Sequence, residues 1–387
     1  MIEVPPTLAS WLKRRDLQVD VRAMKQHPES RNPTLLCRDR GGHRVFVKSS
    51  VRDDPGITHE QVVLRALQSL ESVPRIRHAA GGTLALEWLE GRTLWELRRA
   101  AKQGPDEAIG AALARVQIQG RAAVSSFGVR GDLAERLLWT SPAFFASLGP
   151  ASLQLIKQVQ ASGPALQSLR ELLEGETADR ALLVHGDLRQ ANIMVHRDRS
   201  TFVDWELCGL GDPARDLGML LADDVRAWLL PGDEEEVQTR AELDRHARAL
   251  MLGWEHTARQ LGFTPAGDNR SRVMCWTAEA LLRAAYTMTH HHAHLPQPLV
   301  DAAIAMLEAP AEWSLELLGP APRSSRAESR EGAQARRVDR NKRRNRDRSS
   351  RPEPRDGAPT DWRAALDSAR AERKLARNSR QPARGER

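Results

Sequence analysis

The sequence predicts an α+β chain of two lobes, a small antiparallel β-sheet lobe and a larger, mainly helical lobe, followed by a disordered basic C-terminal tail. Three observations support this. Before residue 90, short strand-like runs are punctuated by Gly pairs. Beyond residue 91, apolar residues recur at helical spacing over long stretches. From residue 321 on, apolar residues almost vanish and charge is dense. The expected divisions are residues 1–90, 91–320 and 321–387.

The first strands are "VDVRAMKQ", "TLLCRDR" and "HRVFVKS", with Gly41-Gly42 as a hairpin turn. "DPGITHEQVVLRALQSL" reads as a helix, with Thr58 and Gln61 spaced as a capping box and Val63, Leu64, Leu67 and Leu70 as its apolar stripe. "RIRHA" and "TLALEWL" form two more strands around Gly81-Gly82. The pattern turns helical near Gly91. Helices are expected over "DEAIGAALARVQIQ", "PALQSLRELLEG", 213–230, 234–261, 271–290 and 298–308, interrupted by short strands in 182–206. A β-rich part followed by a helical part is the α+β pattern. In the tail only "TDWRAALDSARAERKLAR" has the spacing of a helix, with Thr360 or Asp361 as cap and Trp362, Leu366 and Ala369 on one side.

The chain carries 58 Lys/Arg and 51 Asp/Glu, a net charge of +7. Residues 321–387 hold 21 of the basic and 10 of the acidic groups, which leaves 37 and 41 for residues 1–320. The body is thus mildly acidic, and the excess positive charge belongs to the tail. The tail suits an acidic partner such as RNA, an acidic leader peptide or a membrane surface, and equally suits a solubilising extension with no binding role. It lacks interleaved aromatics for base stacking, so nucleic acid is not favoured as its partner. Three widely spaced cysteines without a CxxC argue against a disulfide framework. With no secretory signal pattern and no apolar run of membrane-spanning length, the expected location is cytoplasmic.

The stretch "LLVHGDLRQANIMVHRDRSTFVDWE" concentrates the chemistry. Asp187 follows a buried strand, where a carboxylate can meet an incoming hydroxyl. A hairpin through "HRDRS" folds Asn192 and Asp204 toward each other. Carboxylates beside buried strands are costly unless paired or bound to a cation. Hard oxygen ligands of this kind suit Mg2+, whose shell is completed by water and substrate phosphates. One base with an Asn and an Asp on the metal is the division of labour of phosphoryl transfer.

H-G-D-L-x-x-x-N followed by V-D-W-E resembles the aminoglycoside phosphotransferase and choline kinase family, whose fold is similar to that of protein kinases. The resemblance covers roughly residues 20–310. It implies ATP and Mg2+ as cofactors, Asp187 as the base, and Asn192 and Asp204 as metal ligands. It also implies a small-lobe lysine on the α/β-phosphates, which Lys48 of "VFVKSS" supplies, paired with a glutamate on the next helix. Glu60 shares the helix face of Val63, Leu64 and Leu67, so it points inward, and Lys48 is the candidate cation for it. "LALEWLEG" resembles the interlobe hinge, with backbone groups near Glu87 and Leu89 holding adenine. No G-x-G-x-x-G loop is present. "HPESRNPT" takes its place, with Ser30, Arg31 and Asn32 over the phosphates. Arg189, two residues after Asp187, matches a basic position of protein-kinase loops and can stabilise charge on the moving phosphoryl group. Asp212 and Asp216 read as structural residues that cap helices and brace the catalytic loop.

The acceptor is expected to be a hydroxyl of a small molecule such as an amino sugar or amino alcohol. Two alternatives stand beside it. One is a Ser/Thr kinase acting on a peptide in a ribosomal-peptide modification pathway, with the tail engaging a leader peptide. The other is a nucleotide-binding pseudokinase scaffold. "HHHAH" at 290–294 reads as a solvated helix end rather than a metal site, and Trp228, Trp254, Trp276 and Trp313 as core.

Overall fold

The computed structural model describes residues 4, 6–20, 34–50, 55–101, 104–124, 132–175, 181–230, 238–265, 267–291 and 294–320. Residues 1–318 form one compact unit; of a second, 319–387, only Gly319 and Pro320 fall among the described residues. The expectations for Ser30, Arg31 and Asn32 and for the tail therefore lie outside the described residues.

Helix α1 (Pro6–Lys13) opens the chain. Pro6 at the first helical position is pre-set for it, and Leu8, Trp11 and Leu12 lie at the spacing of one helix face. They pack on Leu17, Leu35, Cys37, Val45, Val47 and Ala85. Strands β1 (Gln18–Val19), β2 (Thr34–Arg38) and β3 (Arg44–Ser49) follow, then α2 (Pro55–Ala66), β4 (Ile76–Ala80) and β5 (Thr83–Glu87). The five strands form one antiparallel sheet in the order β1-β2-β3-β5-β4. Within the described residues, the first strand is only Gln18–Val19. Helix α2 begins at Pro55, which places Thr58 inside it, so the capping box is not formed. Gln61 is instead buried and donates to the Thr83 carbonyl at 3.2 Å. Glu60 lies inward with Ile57 and Leu64, as its position on the helix face requires.

Strand β6 (Arg92–Thr93) precedes α3 (Leu94–Ala101) and pairs with a later strand, so pairing continues past Gly91 before the helices begin. Next come α4 (Asp106–Gln119), α5 (Asp132–Leu138), α6 (Pro142–Ala146), α7 (Pro150–Ala161) and α8 (Gly163–Glu174). β7 (Leu182–Val184), β8 (Ile193–His196), β9 (Arg199–Phe202) and β10 (Gly209–Gly211) interrupt the helices. β7 pairs with β10, and β6, β8 and β9 make a three-stranded sheet. The chain ends with α9 (Ala214–Leu229), α10 (Arg240–Gln260), α11 (Asn269–His291), α12 (Gln297–Glu308) and α13 (Pro310–Leu318). Trp228, Trp254, Trp276 and Trp313 are all buried, as is Trp205. Cys37, Cys208 and Cys275 are free and buried, and burial pushes their thiols up, to about 11 for Cys37 and about 12 for Cys275. No helix among the described residues is long and apolar enough to cross a membrane.

Helices α4 and α10 touch backbone to backbone. A Cβ at Gly110 would lie 2.0 Å from the Leu250 carbonyl oxygen, and one at Gly253 would lie 2.0 Å from that of Glu107. Neither contact can be relieved by a rotamer change, because the obstacle is main chain. Gly110→Ala is therefore expected to destabilise the protein by about 1–3 kcal/mol, the usual cost of overpacking. Helix propensity alone would favour Ala over Gly, so a urea midpoint unchanged or raised would show that the seam yields.

Candidate active site

The site is built on two short β-units and one sheet strand. β7 ends at Val184, His185 follows it, and Gly186 turns the chain in the left-handed region at φ +81°, where a Cβ would meet the Leu207 carbonyl oxygen at 2.4 Å. That turn presents Asp187. Leu188 is fully buried beneath it, and residues Gln190–Asn192 wind a 3-10 turn closed by the Asn192 N–H donating to the Arg189 carbonyl at 2.9 Å. The Asn192 side-chain amide donates to the Asp187 carbonyl at 2.8 Å. The Asn192 side chain thus shares one turn with the Asp187 carboxylate, and its Oδ1 is the acceptor oxygen of that amide. Arg189 lies with its guanidinium 3.2 Å from Asp187 Oδ2 and is half-exposed.

The β8–β9 hairpin then brings the chain back. The Val203 N–H donates to the Asn192 carbonyl at 2.9 Å, which ties the approach to Asp204 directly onto the Asn192 turn. Asp204 itself is left-handed at φ +71°, a conformation Asp tolerates better than most residues. His185 donates through Nε2 to the Val203 carbonyl at 2.9 Å, and its ring packs tilted by 50° against Trp205, with ring centroids 4.6 Å apart.

Lys48 enters from β3. Its ammonium is 3.0 Å from Glu60 Oε2 and 3.2 Å from Glu206 Oε2, and it also bonds Asp204. Lys48 is 7% exposed and Glu60 1%, so the pair is buried. Burial alone would lower the Lys48 pKa, but Glu60, Asp204 and Glu206 outweigh it and hold the ammonium above its ordinary range. Burial pushes the Glu60 carboxyl up, against the pull of Lys48. Helix α2 is hooked to the segment after Asp204 at two consecutive residues. His59 donates to the Cys208 carbonyl at 2.7 Å, and Glu60 Oε1 accepts from the Trp205 N–H at 3.1 Å.

Asp216 on α9 is fully buried and braces the loop from below. It accepts from the backbone N–H groups of His185 (2.9 Å) and Gly186 (3.1 Å) and from Gln117 (2.9 Å). Asp212 accepts from the Ala214 N–H at the start of α9, from Arg272, and from Trp276 at 2.7 Å. Both aspartates thus have the structural partners expected of them. A second buried group underlies the turn that carries Asp187. Asp224 accepts from Gln190 and Gln238 and lies within 3.6 Å of Arg98 and His246. Burial would raise the Asp224 pKa, but Arg98, His246 and Gln238 hold it below the ordinary carboxylate value. A depressed carboxylate contributes stability above its unfolded pKa and loses it as pH falls through the folded one. Asp224→Asn is therefore expected to flatten the acid limb of the stability curve below pH ~4, read by denaturant midpoints at stepped pH.

The residues singled out in the sequence meet in part. Lys48, Glu60 and Asp204 converge on one ammonium, and Asp187, Arg189 and Asn192 share one turn. Glu87 ends β5, with its N–H on the Arg75 carbonyl at 2.9 Å, and Leu89 lies two residues beyond the strand. Glu206 received no role from the sequence, although it closes the V-D-W-E stretch. Gln190 and Asp224 were also missed. Adjacent acids in "MLLADDVRAWLL" were a usable signal, since a helix apolar on both sides of them buries at least one. Among the described residues, no three or more His, Cys, Asp or Glu group to hold a metal ion, and His290 bonds the Tyr286 carbonyl. The Asp204 carboxylate and the Asn192 amide oxygen are nevertheless the hard oxygen donors that suit Mg2+, which takes few protein ligands.

A profile of the phosphotransferase enzyme family (APH) matches residues 24–254. No curated protein sequence matches the chain. Among solved structures, the fold is similar to that of amicoumacin kinase hAmiN in complex with AMP-PNP, Ca2+ and Ami, at 15% identity and TM-score 0.54 over 80% of this chain and 94% of that one. It is also similar to choline kinase from Cryptosporidium parvum Iowa II, at 10% identity and TM-score 0.52 over 80% of this chain and 96% of that one. The fold is kinase-like.

Proposed function

This chain belongs to the phosphotransferase enzyme family, and we propose that it transfers the γ-phosphoryl group of ATP to a hydroxyl of a small molecule, an amino sugar, amino alcohol or similar compound. The observation that carries this reading is the tie between the two halves of the site. Val203 binds the Asp204 segment to the turn of Asp187 and Asn192, while Lys48 binds Asp204 to Glu60.

In this reading Asp187 orients the acceptor hydroxyl and takes its proton. Arg189 offsets charge on the group in flight. Lys48 holds the α/β-phosphates, and Glu60 fixes Lys48. Asn192 and Asp204 hold Mg2+, which when bound neutralises phosphate charge and clamps the nucleotide. The backbone from Glu87 to Leu89, beyond the end of β5, holds the adenine at a hinge between a nucleotide lobe (1–90) and an acceptor lobe (91–320). The AMP-PNP bound by the amicoumacin kinase supports a nucleotide at this site, because the fold is shared.

The test uses γ-labelled ATP, purified protein and an extract of the source organism divided by size, with Asp187→Ala as the blank. Label is expected in the small-molecule filtrate and absent with the variant. Label confined to peptides or proteins would replace the proposal with a peptide kinase. No label in either fraction, with Mg-ATP still bound, would replace it with a nucleotide-binding scaffold.

A further inference from the structure

We propose that Gln190 is a positioning residue, held at two points by α9 so that the turn bearing Arg189 and Asn192 keeps its place beside Asp187. The roles of Arg189 and Asn192 rest on the proposed function; the two-point clamp rests on geometry alone. The Gln190 backbone N–H donates to Asp223 Oδ2 at 2.9 Å, and its side-chain amide donates to Asp224 Oδ1 at 2.9 Å. Neighbouring helix residues point about 100° apart. Asp223 and Asp224 can therefore serve one residue only if it offers donors in two directions, one from main chain and one from side chain. Gln does this. A Pro here would have no N–H for Asp223, and an acidic residue would face Asp224 with like charge.

Gln190 is 4% exposed between the half-exposed Arg189 and the buried Asn192. The hydrogen bond from Asn192 to the Arg189 carbonyl closes around it, so a displacement of Gln190 shifts both neighbours together. The anchor is itself held. Gln238 donates to Asp224 at 3.3 Å, Arg98 and His246 lie at 3.5 and 3.6 Å, and Arg98 also grips Asp106 with two nitrogens. Asp223 is braced by Arg226 at 3.4 Å. Charge-assisted hydrogen bonds in such a buried setting are the stronger kind. The catalytic turn is thus referenced to α3, α4, α9 and α10 through one glutamine side chain.

Gln190→Met removes the side-chain donor and keeps the bulk; Gln190→Ala removes both. Amide hydrogen exchange of the 188–193 segment, measured without nucleotide, is expected to quicken about tenfold or more in each variant. In transfer assays kcat is expected to fall about 10- to 100-fold, the worth of one charge-assisted bond. The Mg2+ concentration for half-maximal rate should rise, with metal-free ATP affinity unchanged. Unchanged exchange in both single variants overturns the clamp. Faster exchange with unaltered kcat and Mg2+ dependence overturns the positioning role. Should the wild-type protein transfer nothing, the proposed function fails and exchange alone decides the clamp.

Discussion

Asp187→Ala is expected to lower the phosphoryl-transfer rate by about 10²- to 10⁴-fold, the range contributed by a positioned general base. ATP affinity should be nearly unchanged, because Lys48 and its carboxylate partners lie on other elements. Asp187 has few structural duties that would confuse the result. Its backbone carbonyl, which the variant keeps, holds the Asn192 amide, and among the described residues its carboxylate meets only Arg189 and, at 3.4 Å, the same amide. The fold should therefore survive, and circular dichroism with nucleotide titration would confirm that before rates are compared. A residual rate above about a tenth of wild type is too large for loss of a base and would move that role elsewhere.

The second large effect is on stability. Asp216→Ala is expected to destabilise the protein by about 3–5 kcal/mol, since three donors lose one buried acceptor and each unsatisfied group costs about 1–3 kcal/mol. Two of these donors, the N–H groups of His185 and Gly186, have no side chain to move and belong to a turn already committed to a left-handed glycine. Denaturant unfolding reads the loss directly. A penalty under about 1 kcal/mol would mean that water replaces the carboxylate, which the full burial of Asp216 opposes. Asp216→Asn should fall between, because an amide retains an acceptor oxygen but turns its N–H2 toward a donor.

How much of this was legible in the sequence depended on whether the signal was local. Strand runs with glycine turns and the inward phase of Glu60 on α2 are local, and the structure has them. The H-G-D-L-x-x-x-N spacing is local too, and it identifies the turn that carries Asp187 and Asn192. The start of α2 was misplaced because Pro55 begins the helix ahead of Thr58; a helix-starting proline competed with a capping pattern and won. α1 went unread although Leu8, Trp11 and Leu12 have helical spacing, since eight residues barely exceed two turns. What sequence could not deliver was partnership across distance. Gln190 with Asp223 and Asp224, His59 with Cys208, and Glu206 with Lys48 each join residues tens to more than a hundred positions apart. Single-chain patterning has no period that links them.

The crossing of α4 and α10 has a consequence for the buried charges. Main-chain atoms have no rotamers, so where Gly110 and Gly253 let two helices meet, the separation is a property of the backbone. Asp106 opens α4 and His246 lies on α10, on either side of the group that grips Asp224. The reach of those charges behaves like the clearance of a machined bearing. It is set by the parts themselves, with no shim of side chains to take up wear.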